Sequence, residues 1–250
     1  MSIRRVLGSV AIAACALLTS VPNAHAQSSD ESRWVVDVGI GIAPSINGNV
    51  NSGAIGTLNG LAVAILPNSY GDVYGTGLDF RFGAGYRLND LTEVRGIFSW
   101  QTADADQVRL GDIGPSSLYA QYSDYKSIGL DVGLRRYLPL SGLNLRAFGE
   151  AAIGIASIDR INVQFAAPQA NMIFSSTDFY DGTAAFTWKV DFGAIFRASP
   201  MVDLTAEFGL RHVGGLADVD QFQGTGLETI NNDSARLTFP IVVGVRFRFK

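Results

Sequence analysis

The sequence predicts an all-β fold: one eight-stranded antiparallel up-and-down β-barrel that crosses a membrane and carries four long extracellular loops. Three observations predict it. Apolar and polar residues alternate with a period of two in eight segments. Beyond the N-terminus, no stretch approaches the roughly 18 uncharged apolar residues that a transmembrane helix needs. Long and short connections alternate between the segments, as they do in outer-membrane barrels.

Residues 1–26 are predicted to be a cleaved signal peptide, which leaves the barrel domain at residues 27–250. Arg4 and Arg5 precede an apolar stretch, and Ala24-His25-Ala26 has the form of a cleavage site. Cleavage removes two of the 19 basic residues and none of the 23 acidic ones, so the net charge changes from −4 to about −6. This charge disfavours nucleic acid as a partner. The alternative is lipid attachment at Cys15, the only cysteine, but the residues that follow it remain apolar.

Each of the eight predicted strands has one apolar and one polar face. In the second strand, Leu78, Phe80 and Phe82 alternate with Asp79 and Arg81. The same alternation marks all eight strands, at residues 34–42, 78–87, 93–101, 127–135, 143–155, 186–197, 202–211 and 236–249.

The connections between the strands fall into two classes. The long ones are residues 44–75, 103–123, 157–182 and 214–233, and they are expected to lack regular structure. The short ones are residues 88–91, 139–142 and 199–201, with Asn, Asp, Pro and Gly in turn positions. We therefore expect the long loops at one rim of the barrel and the short turns, with both termini, at the periplasmic rim.

The apolar faces are predicted to contact lipid and the polar faces to line the lumen. The apolar faces carry no charge in mid-strand, whereas the polar faces mix both signs of charge with glycines that leave room for long side chains. A soluble, lipocalin-like barrel would have the opposite arrangement. Aromatic residues are predicted to form interfacial bands, at the short-turn rim Trp34, Tyr86, Tyr137, Phe196 and Phe249, and at the long-loop rim Trp100, Tyr125, Phe186 and Phe239.

The inward charges are the first candidate site. We interpret them as a structural ionic network that fills a desolvated lumen, and the alternative is a gated polar conduit. The predicted members are Asp37, Asp79, Arg81, Glu93, Arg95, Asp131, Arg135, Arg146, Glu150, Lys189, Asp191, Asp203, Glu207, Arg211, Arg246 and Arg248.

The C-terminal strand and the segment at residues 184–215 carry a resemblance to a known family. Gly244, Phe247 and Phe249 match the terminal strand signal read by the barrel-assembly machinery, although Lys250 follows the last aromatic residue. The segment is similar to the penultimate hairpin of OmpA-like and opacity-type small outer-membrane barrels. The resemblance implies a barrel in the outer membrane of a Gram-negative bacterium. It is expected to extend to the barrel alone, because the peptidoglycan-binding domain of the OmpA pattern does not follow the last strand. It also implies contacts with lipid and lipopolysaccharide, with the assembly machinery, and with an extracellular ligand or host surface through the loops.

Other residues offer weaker indications of chemistry. His212 with Ser234 and Asp233 is a conceivable catalytic set, but no local signature of a barrel enzyme accompanies it. Asp104, Asp106 and Asp112 are loop carboxylates without a calcium-binding pattern. No cofactor or metal is expected. The apolar run at residues 61–66 is expected to extend a strand, with packing on other loops or contact with lipopolysaccharide or a partner as alternatives.

Three functions remain open after these observations. The favoured one is a non-enzymatic scaffold that presents its loops for envelope integrity or adhesion-type contacts. The alternatives are a small channel for ions or hydrophobic solutes and, less favoured, a lipid A-modifying enzyme.

Overall fold

The structure, a computed structural model, describes residues 33–138, 145–231 and 234–249. The predicted signal peptide with Cys15, the turn at residues 139–142, Leu143, Asp233 and Lys250 lie outside these ranges. Within them, no helix is long and apolar enough to cross a membrane.

The described chain is almost entirely β-structure. In chain order, the strands are β1 (Trp34–Asn47), β2 (Asn49–Asn51), β3 (Ala54–Leu58), β4 (Leu61–Ile65), β5 (Asn68–Ser69), β6 (Thr76–Asn89), β7 (Thr92–Ala103), β8 (Gln107–Ile113), β9 (Ser116–Tyr122), β10 (Tyr125–Leu138), β11 (Leu145–Ile158), β12 (Ile161–Ala167), β13 (Met172–Ile173), β14 (Thr177–Asp181), β15 (Thr183–Arg197), β16 (Val202–Val213), β17 (Ala217–Asp218), β18 (Arg236–Thr238) and β19 (Ile241–Phe249). One short helix, α1 (Tyr70–Tyr74), and two 3-10 turns, Pro168–Ala170 and Asp220–Phe222, complete the structure.

The long strands form a closed antiparallel barrel, as predicted. The order around it is β1, β6, β7, β10, β11, β15, β16 and then β18 with β19, which pair back with β1. Trp34 lies opposite both Tyr86 and Phe249, so the first strand closes the sheet. The eighth strand is divided at Pro240, which has no N–H to donate, but the same pairing register continues on both sides of the break.

The two faces of the barrel strands differ as predicted. In β10, Leu130 and Val132 are 59% and 60% exposed on the outside, whereas Asp131 and Arg135 are each 1% exposed on the inside. Charged side chains on the outer face at mid-membrane would cost about 2–4 kcal/mol each for Lys or Arg. The apolar exterior is therefore suited to lipid.

Two of the predicted interfacial aromatics lie inside the barrel instead. Tyr125 is 1% exposed and packs on Tyr70 and Tyr74, and Tyr137 is 2% exposed and donates a hydrogen bond to Glu93 at 2.7 Å. Both occupy odd positions on β10, the same side as the inward-facing Arg135. The prediction that they belong to the lipid-facing bands was wrong.

The four long connections are folded, contrary to expectation. We call their residues 48–75, 104–124, 159–182 and 214–231 the loop layer. They form a second sheet in the order β3-β4-β8-β9-β12-β14-β17, with β13 beside β12. The fourth connection contacts both ends of this sheet, because β17 pairs with β14 while the amide of Thr57 donates to the carbonyl of Thr225 at 2.7 Å.

The apolar run at residues 61–66 belongs to this layer. Leu61–Ile65 forms β4, which pairs with β3 and β8, so it is not the extension of a barrel strand. Val63 and Ile65 are buried in the apolar core of the loop layer. The alternative prediction, packing on neighbouring loops, describes this run.

Aromatic residues build much of the loop-layer core. Phe179 is fully buried, and its ring centroid lies 5.0 Å from that of Tyr180, 5.3 Å from that of Tyr122 and 5.9 Å from that of Phe222. These residues come from three of the four connections. The first connection contributes Val63 and Ile65 to the same core, so none of the four connections forms a separate loop.

Candidate functional site

Glu150 is the centre of the ion pairs in the lumen. Its carboxylate oxygens lie 2.5 Å from Arg95 Nη1, 2.8 Å from Arg135 Nε and 3.0 Å from Lys189 Nζ. All four side chains are at most 3% exposed. Three buried cations thus share one carboxylate.

Arg81 has the complementary arrangement. Its guanidinium lies 3.0 Å from Asp79, 3.0 Å from Asp191 and 2.6 Å from Glu207. Glu207 is also 3.0 Å from Arg135 Nη2, which joins this cluster to the one around Glu150.

Arg95 extends the same network towards the short-turn rim. It pairs with Asp37 and, at 3.7 Å, with Glu93. Glu93 also pairs with Arg246 and accepts the hydrogen bond from Tyr137. These contacts connect a single set, the lumen network: Asp37, Asp79, Arg81, Glu93, Arg95, Arg135, Glu150, Lys189, Asp191, Glu207 and Arg246.

The other five predicted members lie outside the lumen network. Arg248 pairs with Asp203 at 3.1 Å near the short-turn rim, and Arg211 lies 3.8 Å from Asp131 near the loop layer. Arg146 lines a cavity at the short-turn rim instead. Among the contacts of the described residues, the sixteen charges thus comprise one large network, the pairs Arg248–Asp203 and Arg211–Asp131, and Arg146 at the rim.

Glycines leave space for these side chains at particular positions. A Cβ atom on Gly83 would lie 2.5 Å from both Arg95 Nη2 and Asp37 Oδ1. A Cβ atom on Gly129 would lie 2.4 Å from Arg211 Nη2. The arginines thus occupy volume that any larger residue at these positions would take.

The centre of the lumen is closely filled. The Arg135 guanidinium lies 3.8 Å from the centre of the Phe148 ring, and the void beside Arg81, Arg135 and Glu207 is about 10 Å³. That volume is at the lower limit for a single water molecule.

Arg236 closes the other end of the lumen, and sequence reasoning did not include it in the network. It lies 4.2 Å from the ring centre of Tyr125 and 5.4 Å from that of Tyr70, and it donates to Ser45 Oγ. The Tyr70 hydroxyl donates to the carbonyl of Ser234 at 2.9 Å, and burial raises the pKa of Tyr70 well above its ordinary value. The sequence signal that could have identified Arg236 was its position in the alternation, two residues before the inward-facing Thr238.

The candidate catalytic residues are not brought together among the described residues. His212 stacks on Trp188 with ring centroids 5.5 Å apart, on the outer face. Ser234 is buried, and its hydroxyl accepts a hydrogen bond from the amide of Leu216 at 2.6 Å. No hydrogen bond joins the two residues in the described part of the chain.

The loop layer is strongly acidic. It holds eleven carboxylates and two arginines, and both arginines are paired, Arg109 with Asp112 at 2.7 Å and Arg160 with Asp178 at 2.9 Å. The carboxylates are Asp72, Asp104, Asp106, Asp112, Asp124, Asp159, Asp178, Asp181, Asp218, Asp220 and Glu228. Over the described ranges, no three of these or other potential ligands cluster as a metal site would.

The residues of the predicted assembly signal lie on β19. Phe247 and Phe249 are 41% and 47% exposed on the outer face, and Gly244 lies opposite Gly39 of β1. Their recognition by the assembly machinery stays a prediction.

These features define a membrane-spanning β-barrel with a charged interior. The chain belongs to the outer membrane protein beta-barrel domain family, which it matches over residues 11–249. No curated protein matches it in sequence.

Several solved structures resemble the chain at low identity. Neisserial surface protein A has 15% identity and a TM-score of 0.46, with 88% of this chain and 100% of that chain covered. The Yersinia pestis attachment invasion locus protein Ail, in complex with the heparin analogue sucrose octasulfate, has 12% identity and a TM-score of 0.39, with 87% and 99% covered. The outer membrane protease OmpT from Escherichia coli has 9% identity and a TM-score of 0.38, with 91% and 99% covered. Likeness at this level concerns the fold alone.

Proposed function

We propose that this protein is a non-enzymatic, non-conducting scaffold of the outer membrane that presents the loop layer outside the cell for surface contacts. The observation that carries the proposal is that two different packed layers block the lumen. The lumen network fills its centre, and the loop-layer core with Arg236, Tyr70 and Tyr125 covers one end.

A steady aqueous path would require both layers to open. Removing one partner from a buried ion pair leaves an uncompensated charge and is strongly destabilising, by about 3–5 kcal/mol. The side chains around Glu150 contact it directly, and the void beside Glu207 is about 10 Å³. The channel alternative is therefore less favoured than the scaffold.

The charge of the loop layer suggests the chemistry of its partner. Eleven carboxylates against two paired arginines favour a basic protein segment or another polycation. A sulfated polyanion such as the one bound to Ail is not the expected ligand, because like charges repel. The membrane partners in this proposal are lipid and lipopolysaccharide around the barrel, and the assembly machinery during biogenesis.

Conductance in planar bilayers tests the blocked lumen. We expect the purified protein to give no steady current steps. The double variant Arg81→Gln with Glu207→Gln removes two charges from the cluster around Arg81, and its conductance is compared with that of the unmodified protein. Asp104→Asn in the loop layer is the matched control. Steady steps from the unmodified protein that disappear in Arg81→Gln would overturn the scaffold proposal in favour of the channel.

Orientation and partner chemistry need separate measurements. Gln169→Cys in the loop layer is expected to react with a membrane-impermeant reagent on intact cells, and Met201→Cys in a short turn is not.

A lysine-rich peptide is expected to bind these cells in a salt-sensitive manner, whereas sucrose octasulfate is not. The enzyme alternative predicts a changed lipid A profile in His212→Ala, and we expect none.

A further inference from the structure

The first long connection, residues 44–75, contains two Asn-Gly pairs in different surroundings. Asn59 and Gly60 form the tip of the hairpin between β3 and β4, and both are exposed. Asn47 and Gly48 lie where β1 ends. In an Asn-Gly pair the side-chain amide reacts readily with the next backbone nitrogen, because glycine has no Cβ atom to block the approach.

We propose that Asn59 is a site of spontaneous covalent modification, at which the side chain cyclises onto the Gly60 amide and the ring opens to aspartate or isoaspartate. In the first step the Gly60 nitrogen bonds to Cγ of Asn59, the bond from Cγ to Nδ2 breaks, and the proton of the nitrogen leaves with Nδ2 as ammonia. In the second step water cleaves one C–N bond of the ring. Cleavage at Cγ gives aspartate, and cleavage at the backbone carbonyl carbon gives isoaspartate, in which the main chain runs through Cγ.

The hairpin tip leaves the reacting groups accessible to each other. The φ angle is 48° at Asn59 and 79° at Gly60, which matches the two-residue turn that suits the twist of a hairpin. A Cβ atom on Gly60 would meet no other atom within 4 Å. Within the described ranges, no hydrogen bond engages the Asn59 side chain or the Gly60 amide. The described contacts therefore leave the side-chain amide free to approach the nitrogen.

The other Asn-Gly pair is held by its neighbours. The Gly48 amide donates to Asn47 Oδ1 at 2.8 Å, and the Gly48 carbonyl accepts from the Tyr70 amide at 3.0 Å. A Cβ atom on Gly48 would lie 2.1 Å from the carbonyl oxygen of Ala235. Cyclisation requires the peptide unit between the two residues to rotate, and at Asn47 this rotation breaks these contacts. The same dipeptide is therefore restrained at Asn47 and accessible at Asn59.

Modification at Asn59 changes both the structure and the charge of the loop layer. Isoaspartate adds one carbon atom to the main chain of a two-residue turn, so the Leu58–Leu61 pair and the pairs beyond it lose their register. The adjacent Thr57 amide donates to the carbonyl of Thr225, the contact that joins this end of the sheet to the fourth connection. Either product also adds a carboxylate to a layer that already holds eleven. The modification thus loosens one end of the layer and makes the layer more acidic.

Peptide mapping by mass spectrometry, on the folded protein incubated in detergent at mildly alkaline pH, tests the proposal. We expect aspartate and isoaspartate to form at Asn59 at least about tenfold faster than at Asn47, since a rotation that breaks a hydrogen bond costs on the order of that factor in rate. In guanidinium-unfolded protein the two sites should react at similar rates. Equal rates at the two sites of the folded protein, or no product at Asn59 while the unfolded protein reacts, would overturn the proposal.

Two variants separate the chemistry from its consequence. Asn59→Gln is the matched control for the chemistry, because its longer side chain would have to close a larger ring, and we expect no product there. Asn59→Asp carries the new charge without the added main-chain carbon. Hydrogen exchange at residues 54–65 should be faster in the incubated protein than in Asn59→Asp, with β10 unchanged in both. Product in Asn59→Gln at the rate of the unmodified protein would overturn the cyclisation, and equal exchange in the incubated protein and Asn59→Asp would overturn the loss of register.

Discussion

The lumen of the barrel and the interior of the loop layer are packed by opposite chemistry, although they share the same strands. On the inner face of β11, Glu150 contacts three cations, whereas Ile158, eight residues further along the same face, lies in the apolar core of the loop layer. The outer face changes in the reverse direction, from exposed Ile153 to the polar surface of the acidic loop layer.

The difference shows that the surroundings of each face set its polarity. Where the outside is suited to lipid, apolar side chains belong outside and the charges are enclosed with partners. Where the outside meets water, the apolar side chains move inside, as in any soluble sheet packing. The transition on β11 between Glu150 and Ile158 therefore indicates where the membrane ends.

The largest effect is expected from breaking the lumen network at its centre. Glu150→Gln leaves Arg95, Arg135 and Lys189 with one charge fewer to neutralise them, so we expect a loss of about 3–5 kcal/mol in unfolding free energy. Urea unfolding in detergent micelles measures it, with exposed Asp104→Asn as a control that stays within about 0.5 kcal/mol. Equal urea midpoints for Glu150→Gln and the unmodified protein would contradict the network.

Breaking the loop-layer core is expected to act locally. Phe179→Ala empties the centre of the aromatic cluster and is expected to lower the opening free energy of the loop layer by about 3–5 kcal/mol. Hydrogen exchange should show faster exchange at residues 159–182 and unchanged protection in β10. Ile173, which is 78% exposed, gives the control Ile173→Ala. Loss of protection throughout the barrel would show that the two regions are one cooperative unit.

The boundary between the regions is testable by placing one charge on each outer face. Val132→Arg faces lipid and is expected to cost about 2–4 kcal/mol of folding free energy in vesicles. Ile55→Arg, at an 82% exposed position of the loop layer, is expected to change it by at most about 0.5 kcal/mol. Similar costs at both positions would remove the distinction between the two surfaces.

The smallest effect concerns the start of α1. Ser69 accepts a hydrogen bond from the amide of Asp72, and the Ser69 hydroxyl and amide both donate to the Asp72 carboxylate, which lowers the pKa of Asp72. Ser69→Ala is expected to cost about 1 kcal/mol. Because the folded-state pKa is lowered, the contribution of Asp72 is complete above the ordinary pKa of about 3.9 and is lost as the pH falls through the folded value.

Amide exchange at residues 70–75, measured from about pH 3 to about pH 6, follows this contribution. The difference between Ser69→Ala and the unmodified protein should shrink towards the acid end. Ser176→Ala, at an exposed position of the same layer, should show no such trend. A difference independent of pH would mean that Asp72 has no part in the cap.

The barrel was predictable because its signal is local. Alternation within each strand determines both faces. The prediction for β10 failed at Tyr125 and Tyr137 because both were assigned to the interfacial bands as aromatic residues, although their positions in the alternation place them inside the barrel. The loop layer was not predictable in this way. Val63 pairs with Ile113 and Phe179 packs on Tyr122, and such contacts join short segments that are distant in the sequence.

The candidate site was likewise predictable only in part. Alternation identified which charges point inward, but not that Glu150 is surrounded by three cations or that Arg146 lines a cavity at the short-turn rim. Those partnerships depend on how far the strands are staggered around the barrel, which no single strand records. Arg236 was omitted although its position in the alternation, two residues before Thr238, places it on the polar face of the eighth strand.

The order of the strands in the loop layer determines what a binding partner encounters. Neighbouring strands β4 and β8 come from different connections, as do β9 and β12, so the outer surface is a mosaic of segments far apart in the chain. An antibody or receptor that recognises this surface would read a discontinuous epitope. Synthetic peptides that copy a single connection would lack it, and only the intact barrel would serve as an immunogen or as bait.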